Sequence, residues 1–196
     1  MSDKIYCYPD SDVLKNKMGI RDMEQLGRME KRLTMLRILE LVDKPIQGQF
    51  DLKHLQTTHK YIFQDVYEWA GKIRKVDIAK GNMFCNVKFI ESQAAEIFGK
   101  LKEENYLQGL DEKEISVRLA YYFSEINALH PFREGNGRCQ REFIRTLAFH
   151  AGYVINSANV SREEMVKASE DSFLCDYGRM EQLFAKCIKK RKYKSI

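Results

Sequence analysis

Apolar residues spaced three and four positions apart recur along most of the chain, and no other feature limits its fold as strongly. This spacing places them on one face of an α-helix. The first three stripes cover residues 26–36, 52–69 and 91–104, and Pro45 and Gly71 follow the first two as helix-ending residues. The sequence therefore predicts a mostly helical protein.

Later segments continue this pattern. A fourth helix is predicted by the stripe of Ile115, Leu119, Tyr122, Ile126 and Leu129. A fifth begins near Arg138. Ser161 followed by Glu164 is typical of a capping box, which predicts a helix start. The last helix is predicted over about Tyr177 to Lys189.

One segment, between Arg74 and Phe89, changes period. Apolar and polar residues alternate on both sides of the turn-like residues 80–82, which predicts a β-hairpin. No internal repeat, low-complexity segment or linker interrupts the chain. We therefore expect a single domain over residues 1–196, with a core at about 50–190.

Composition excludes several classes of protein. The chain is 44% hydrophobic, but no run of about 18 apolar residues occurs, so we expect no membrane span. The polar N-terminus lacks the apolar segment of a secretory signal, which predicts residence in the cytoplasm. Five cysteines, an odd number without CxxC pairs, favour reduced structural thiols over disulfides or zinc ligands.

The basic charge is concentrated at the end of the chain. The formal net charge is +5. Five cations lie in the basic C-terminal tail, residues 189–196: Lys189, Lys190, Arg191, Lys192 and Lys194. The remainder is close to neutral, so we expect no direct binding of nucleic acid. A solvated helix end is the preferred interpretation of this tail.

The stretch HPFREGNGR, residues 130–138, combines glycines with an unusual set of polar residues. His130 ends the fourth apolar stripe, and Pro131 forces the chain out of the helix. Gly135 and Gly137 permit positive φ or close approach of a ligand at the start of the next helix. Free N–H groups of that first turn favour a phosphate.

The charged residues of this loop indicate chemistry on that phosphate. Arg138 and Arg141 are three residues apart on the first helical turn and offer charge-assisted hydrogen bonds to phosphoryl oxygens. Glu134 would repel a phosphate unless a divalent cation lay between them, so it implies Mg²⁺ or Mn²⁺. His130, with an ordinary pKa of about 6.5, is suited to act as a general base. Together these residues indicate phosphoryl or nucleotidyl transfer.

The loop resembles a known family. The run from His130 to Arg141 matches the HxFx(D/E)GNGRxxR signature of Fic-domain proteins without a substitution. Similarity extends upstream to HKYIFQDVYEWAGKIR, residues 59–74, and downstream to LAFHAGY. The chain looks most similar to short bacterial cell filamentation proteins. The resemblance implies the Fic fold, a helical bundle with a small β-hairpin flap beside the active-site loop.

The resemblance also implies an activity, which is transfer of AMP from ATP to a protein hydroxyl with release of pyrophosphate. His130 then deprotonates the hydroxyl, Phe132 anchors the loop, and Glu134 serves the metal. The nucleotide phosphates are held by Gly135, Asn136, Gly137, Arg138 and Arg141. The flap that aligns the target by strand-like pairing comprises Ile78, Ala79, Lys80, Gly81, Asn82, Met83, Phe84, Cys85 and Asn86.

The sequence leaves alternative functions open. A branch that resembles the phage toxin Doc has lysine in place of the second glycine and transfers phosphate; Gly137 here favours AMP transfer. Members that transfer phosphocholine are not excluded by the motif. A non-enzymatic alternative is a helical interaction module with a degenerate loop. Outside the motif, His59 lies on an apolar stripe and is expected to be a packed, hydrogen-bonded histidine.

Control by a partner protein is expected from a missing motif. Many Fic enzymes are silenced by a helix carrying [S/T]xxxE[G/N], whose glutamate pairs with the arginine equivalent to Arg138. Here only Ser92 has a glutamate four residues on, and Glu96 is followed by Ile97. We therefore expect a small antitoxin protein that supplies this glutamate. The resemblance further implies a type II DNA topoisomerase subunit as a target.

Overall fold

Helices carry most of the described chain. The computed structural model describes residues 5–156, 158 and 160–191. In chain order the helices are α1 Met23–Asp43, α2 Leu52–Phe63, α3 Ile90–Glu103, α4 Glu112–Leu129, α5 Asn136–His150, α6 Arg162–Ser172 and α7 Gly178–Cys187. Two short sheets join β1 Ala79–Lys80 with β2 Asn82–Met83, and β3 Tyr153–Ile155 with β4 Ile188–Lys190, both antiparallel. The predicted mostly helical fold is confirmed.

Capping side chains fix several helix starts. The Asp22 carboxylate accepts the Gln25 N–H at the start of α1, and Asp111 forms a capping box with Glu114 at the start of α4. The predicted capping box of Ser161 and Glu164 is confirmed at the start of α6. These side chains satisfy N–H groups that the first helical turn leaves without a partner.

The second predicted helix is too long. Residues as far as Trp69 carry the helical spacing, but α2 ends at Phe63 and turns follow. Val66 is nonetheless fully buried, so the pattern predicted burial correctly and conformation wrongly. The turns bring Gly71, with φ +80°, back to α2, where its N–H reaches the His59 ring. A tertiary contact therefore decides the end of this helix.

The predicted hairpin is present but shorter than expected. Ala79 pairs with Met83 and Lys80 with Asn82 around Gly81. The segment Val87–Phe89, predicted as strand, is a turn of 3₁₀-helix. The Asp77 carboxylate accepts the Val87 N–H at 2.8 Å, and this bond replaces the strand pairing that the alternation predicted.

The end of the chain corrects two predictions. The last helix stops at Cys187, and residues 188–190 form β4 against β3. Lys189 and Lys190 of the basic tail are therefore part of a paired strand, not of a solvated helix end. Burial of Ile188 against the core explains the change, because a strand directs this side chain inward while Lys189 and Lys190 remain exposed. Lys192 and Lys194 lie outside the described residues.

Two apolar clusters meet beneath the motif loop. The larger surrounds α4 and α5 and includes Phe132 and Phe143, and the smaller lies between α1 and α2 and includes Phe63. All five cysteines carry free thiols. In the described ranges, no helix combines the length and the apolar character that crossing a bilayer demands.

Candidate active site

His130 ends α4 in an unusual backbone conformation. Its φ and ψ are 43° and 60°, in the left-handed region, while its N–H still donates to the Ile126 carbonyl at 3.1 Å. Pro131 follows and cannot continue the helix. The chain thus turns sharply at His130, which directs the loop toward the start of α5.

The His130 side chain is held as a neutral base. Its Nδ1 lies 3.1 Å from the Asn127 carbonyl oxygen, which can only accept, so Nδ1 carries the proton and Nε2 carries the lone pair. The Phe84 ring of the flap stacks on the imidazole at 3.6 Å. Burial is the main cause that lowers the pKa of His130 to about 4. The imidazole is therefore uncharged at neutral pH.

Asn136 closes the loop by bonding to its backbone. Its side-chain oxygen accepts the Phe132 N–H at 2.9 Å, and its amide donates to the Phe132 carbonyl at 2.7 Å. The Phe132 side chain is 1% exposed, as expected of an anchor. The Asn136 amide is thus used for loop geometry, and what it offers a phosphate is its main-chain N–H.

His59 supports the loop from below. Its ring packs on Phe132 at 3.9 Å. Nε2 donates to the Glu134 carbonyl and Nδ1 accepts the Gly71 N–H, both at 2.9 Å. Burial lowers the pKa of His59 to about 4. The predicted packed, hydrogen-bonded histidine is confirmed, and its support of the motif loop is a function that the apolar stripe could not reveal.

Gly135 occupies a position that no other residue fits without strain. It caps α5 with φ +81°, and a Cβ built there would lie 2.1 Å from Cζ of Phe63. Gly137 differs: its φ is not positive, and a Cβ would meet only Nη1 of Arg141 at 3.3 Å. Steric contact with Phe63 therefore requires glycine at position 135, whereas a side chain at position 137 would meet only a flexible arginine.

The start of α5 can hold an anionic oxygen. Oε1 of Glu134 accepts the Gly135 N–H at 2.8 Å and lies 3.7 Å from the Arg138 guanidinium. The N–H groups of Asn136 and Gly137 belong to the first turn, which has no intrahelical acceptor for them. The Glu134 carboxylate already accepts one main-chain N–H at this position.

The two motif arginines point to different neighbours. Arg138 is bonded to Glu30 at 2.5 Å and to the Thr34 hydroxyl at 3.2 Å, and its guanidinium lies over the Phe63 ring. Arg141 has no ion pair among residues 5–156, 158 and 160–191, and it lines the cleft described below. The shared phosphate-binding role of the two arginines stays a prediction; in this structure Glu30 of α1 pairs with Arg138. The [S/T]xxxE[G/N] pattern does not mark this glutamate.

These groups surround a cleft of about 560 Å³. His130, Glu134, Asn136, Gly137 and Arg141 all line it. Of the predicted flap residues, those that line it are Ile78, Ala79, Lys80, Asn82 and Phe84. The opposite wall comes from α6 and its C-terminal end, and includes Met165, Val166, Ser169, Glu170 and Phe173. Sequence patterns located α6 but gave no signal that it faces the loop.

An apolar groove of about 240 Å³ adjoins the cleft. It lies between α1 and α7, and its apolar walls include Ile38, Val42, Leu183 and Phe184. Arg138 and Arg141 line it as well, and Arg141 therefore borders both cavities.

A helical domain in which a histidine and a helix N-terminus share a flap-bordered cleft has the architecture of a Fic domain. The model of the Fic/DOC family matches residues 49–148, and the chain belongs to this family. It is 47% identical over 185 residues to the protein adenylyltransferase VbhT of Bartonella schoenbuchensis, covering 94% of this chain and 38% of VbhT. A match of 36% identity, covering 96% of both chains, is to "Probable protein adenylyltransferase Fic" of Escherichia coli.

A solved structure has the same fold. The N-terminal Fic domain of a VirB-translocated Bep effector from Bartonella quintana, crystallised with bound ADP, superposes with a TM-score of 0.91. It is 30% identical and 96% of each chain is covered. The chain spans little more than a third of VbhT, so the activity of that whole protein does not transfer directly.

Proposed function

We propose that the protein is a protein adenylyltransferase, which transfers AMP from ATP to a hydroxyl side chain of a target protein and releases pyrophosphate. The observation that carries this proposal is that His130, whose Nε2 has no hydrogen bond within the described part of the chain, shares one cleft with the N-terminus of α5. Two relatives bear the name of this activity, and the B. quintana domain binds ADP. We propose that residues 1–196 act as one such domain.

In the proposed step, the target hydroxyl oxygen attacks the α-phosphorus of ATP. Nε2 of His130 takes the hydroxyl proton as the new P–O bond forms. The bond from the α-phosphorus to its bridging oxygen breaks, and pyrophosphate leaves with that electron pair. General-base assistance of this kind contributes roughly 10²–10⁴ in rate.

The phosphates are held by the start of α5. The N–H groups of Asn136 and Gly137 and the positive end of the helix dipole offer an anion site, and the Gly135 N–H joins them when the Glu134 carboxylate turns away from it. Arg141 lines the cleft and is available to the outer phosphates. Arg138 reaches them, as the motif predicts, only when its guanidinium turns away from Glu30. Glu30→Gln is therefore expected to strengthen, and Arg138→Ala to weaken, binding of the β- and γ-phosphates.

A metal ion fits this site only together with the nucleotide. Within the described residues no three His, Cys, Asp or Glu side chains cluster as a metal site. Mg²⁺ commonly uses one or two carboxylates plus substrate phosphates, and Glu134 supplies such a carboxylate at the cleft. The ion would neutralise charge on the phosphates when bound. Glu134 would hold it in place.

The flap is suited to bind an extended target segment. Among the strands of the described residues, β1 and β2 pair only with each other, and all four of their residues are exposed. A free strand edge can pair with a peptide backbone through main-chain hydrogen bonds. This mode reads side chains weakly, so we propose that target choice depends on surfaces outside the motif. A type II DNA topoisomerase subunit is the first target to test.

The test uses labelled ATP, Mg²⁺ and bacterial lysate, with mass spectrometry of the labelled protein. His130→Ala is expected to abolish labelling while ATP affinity stays within a few fold, because other groups hold the phosphates. Transfer by this variant at near the parental rate would remove His130 from the mechanism. A catalytically silent interaction module would show no metal-dependent ATP binding, and a transferase of another group would show a different mass increment.

We propose in addition that a small antitoxin protein restrains this enzyme. The apolar groove between α1 and α7 fits one face of a helix, and exposed Met35, Leu39 and Val42 extend the apolar surface along α1. Because Glu30 already occupies Arg138, a carboxylate entering along this groove meets Arg141 as the available cation.

The antitoxin proposal is tested by expressing the chain alone and with the neighbouring small reading frame. Growth arrest that depends on His130 and is relieved by the neighbour supports it. Harmless expression of a protein shown to be active, with no partner recovered, contradicts it. Expressing Arg141→Ala together with the neighbour shows which arginine the antitoxin binds. An antitoxin that pairs with Arg141 loses affinity for this variant, whereas one that pairs with Arg138 does not.

A further inference from the structure

Arg74 is a buried cation outside the motif, on the segment between α2 and β1. Its side chain is fully buried, and a buried guanidinium is costly unless its donors are satisfied. Three main-chain carbonyls accept from it. Nε donates to His130 at 2.9 Å, Nη1 to Val76 at 2.8 Å, and Nη2 to Cys85. The Asp77 carboxylate lies 3.6 Å from Nη1.

These three carbonyls belong to the flap and to His130, whose relative position must stay fixed. Val76 precedes the flap hairpin and Cys85 follows it, so Arg74 holds both legs of the flap at their base. The imidazole of His130 is the proposed general base. Two main-chain bonds repeat the connection: the Arg74 N–H donates to the Pro131 carbonyl at 2.9 Å, and the Cys85 N–H donates to the Ala128 carbonyl at 3.0 Å.

The His130 backbone needs such support. Its left-handed conformation is one that a residue with a side chain adopts at an energetic cost, and it persists only where surrounding contacts enforce it. The bond from Arg74 to the His130 carbonyl is one such contact. The Phe84 ring that covers the imidazole is attached to the same flap, next to Cys85.

We infer that Arg74 is a positioning residue which couples the flap to His130, so that a target segment paired with the flap presents its hydroxyl at Nε2. This inference rests on the proposed function. Arg74 touches neither nucleotide nor target in this scheme. It acts by fixing the distance between the element that binds the target and the group that removes the proton.

The variant that tests the inference is Arg74→Lys. Lysine keeps the charge and the apolar stem, but its single nitrogen cannot serve three carbonyls in the planar arrangement that guanidinium spans. The affinity for a nonhydrolysable ATP analogue is expected to stay within about threefold, because the α5 cradle does not contact Arg74. We expect kcat/KM for the target to fall by about 10²-fold, the loss typical of a displacement near 1 Å.

A second readout separates positioning from mere stabilisation. Loosening the flap admits water to the imidazole, so the pKa of His130 should rise from about 4 toward its ordinary value in Arg74→Lys. NMR titration of His130 measures this without any activity. Charged residues around the imidazole or along its cleft are Lys80, Arg74, Arg133, Glu134, Arg141 and Glu170, and Arg74→Lys keeps the charge at position 74.

Arg118→Lys is the matched control. Arg118 lies on α4 away from the cleft and is bonded to Glu104 and Tyr122, so its loss should lower the midpoint of thermal unfolding without changing kinetics or the His130 titration. Both variants are assayed well below their unfolding midpoints. If Arg74→Lys fails to fold, Asp77→Asn replaces it, because Asp77 is less buried and joins the same flap base through Asn86 and Val87.

The outcomes are distinct. Loss of transfer at unchanged nucleotide affinity, together with a raised pKa of His130, supports the inference. An Arg74 or Asp77 variant with the parental rate and titration overturns it, even when its unfolding midpoint is lower. A parent protein that transfers no AMP defeats the proposed function instead. In that case the titration alone decides whether Arg74 holds His130.

Discussion

Replacing Gly135 by alanine should disrupt the motif loop far more than the same change at Gly137. At Gly135 the new Cβ would lie 2.1 Å from Cζ of Phe63, where an ordinary contact begins at 3.4 Å, and Phe63 is itself fully buried. The ring or the loop must therefore move by more than 1 Å. At Gly137 the nearest atom is the end of a flexible arginine.

The expected decrease in the free energy of unfolding combines two destabilising effects and one stabilising effect. The left-handed φ of +81° costs an alanine about 1–2 kcal/mol, and overpacking against Phe63 adds about 1–3 kcal/mol. Reduced freedom of the unfolded chain returns about 0.4–1 kcal/mol. The net loss is about 3 kcal/mol. For a chain of this length the unfolding midpoint should fall by about 6–12 °C.

The assay is thermal unfolding of the parent, Gly135→Ala, Gly137→Ala and the double variant Gly135→Ala with Phe63→Leu. Leucine removes the far end of the ring, so the double variant should lose less than the two single losses combined. ATP-analogue binding should weaken in Gly135→Ala, because the first turn of α5 moves. Equal midpoints for Gly135→Ala and Gly137→Ala would refute the steric reasoning.

The remaining predictions concern charge and protonation. Glu134→Ala should lower the dependence of transfer on Mg²⁺, whereas Arg138→Ala should leave it in place; identical metal titrations for both and the parent would contradict these roles. His59 and His130 have folded pKa values of about 4, below the ordinary value of about 6.5, so each binds its proton more readily in the unfolded chain. Their stabilising contribution is fully present above pH 6.5 and is lost as the pH falls toward 4. The free energy of unfolding, measured with urea across this pH range, should fall less on acidification for His130→Ala than for the parent.

Helix positions and the loop were predictable because both depend on local spacing. The apolar stripes located α3 and α4 closely, and the signature from His130 to Arg141 marked the candidate active-site loop. Capping at Ser161 was equally local, since both partners lie within four residues. Such signals require no knowledge of which elements meet in space.

Contacts between distant segments explain what the sequence did not predict. Glu30 lies 108 residues from Arg138, and nothing in its neighbourhood marks it as a partner. The pairing of β3 with β4 joins segments more than 30 residues apart, and it converts a predicted helix end into a strand. Arg74 belongs to the family-like segment at residues 59–74, but only the structure shows that its donors reach the His130 carbonyl and both legs of the flap.

The charges around the cleft affect both of the proposed tasks of the site, which are nucleotide binding and proton transfer by His130. Two cations oppose protonation of His130: after burial, Lys80 and Arg74 are the largest causes that lower its pKa. A histidine with a pKa of about 4 is always available as a base but is a weak one. In the proposed reaction, ATP bound in this cleft would bring negative charge, which would offset those cations and shift the pKa of His130 upward. His130 should therefore become a stronger base only when the nucleotide that its proton transfer serves is in place.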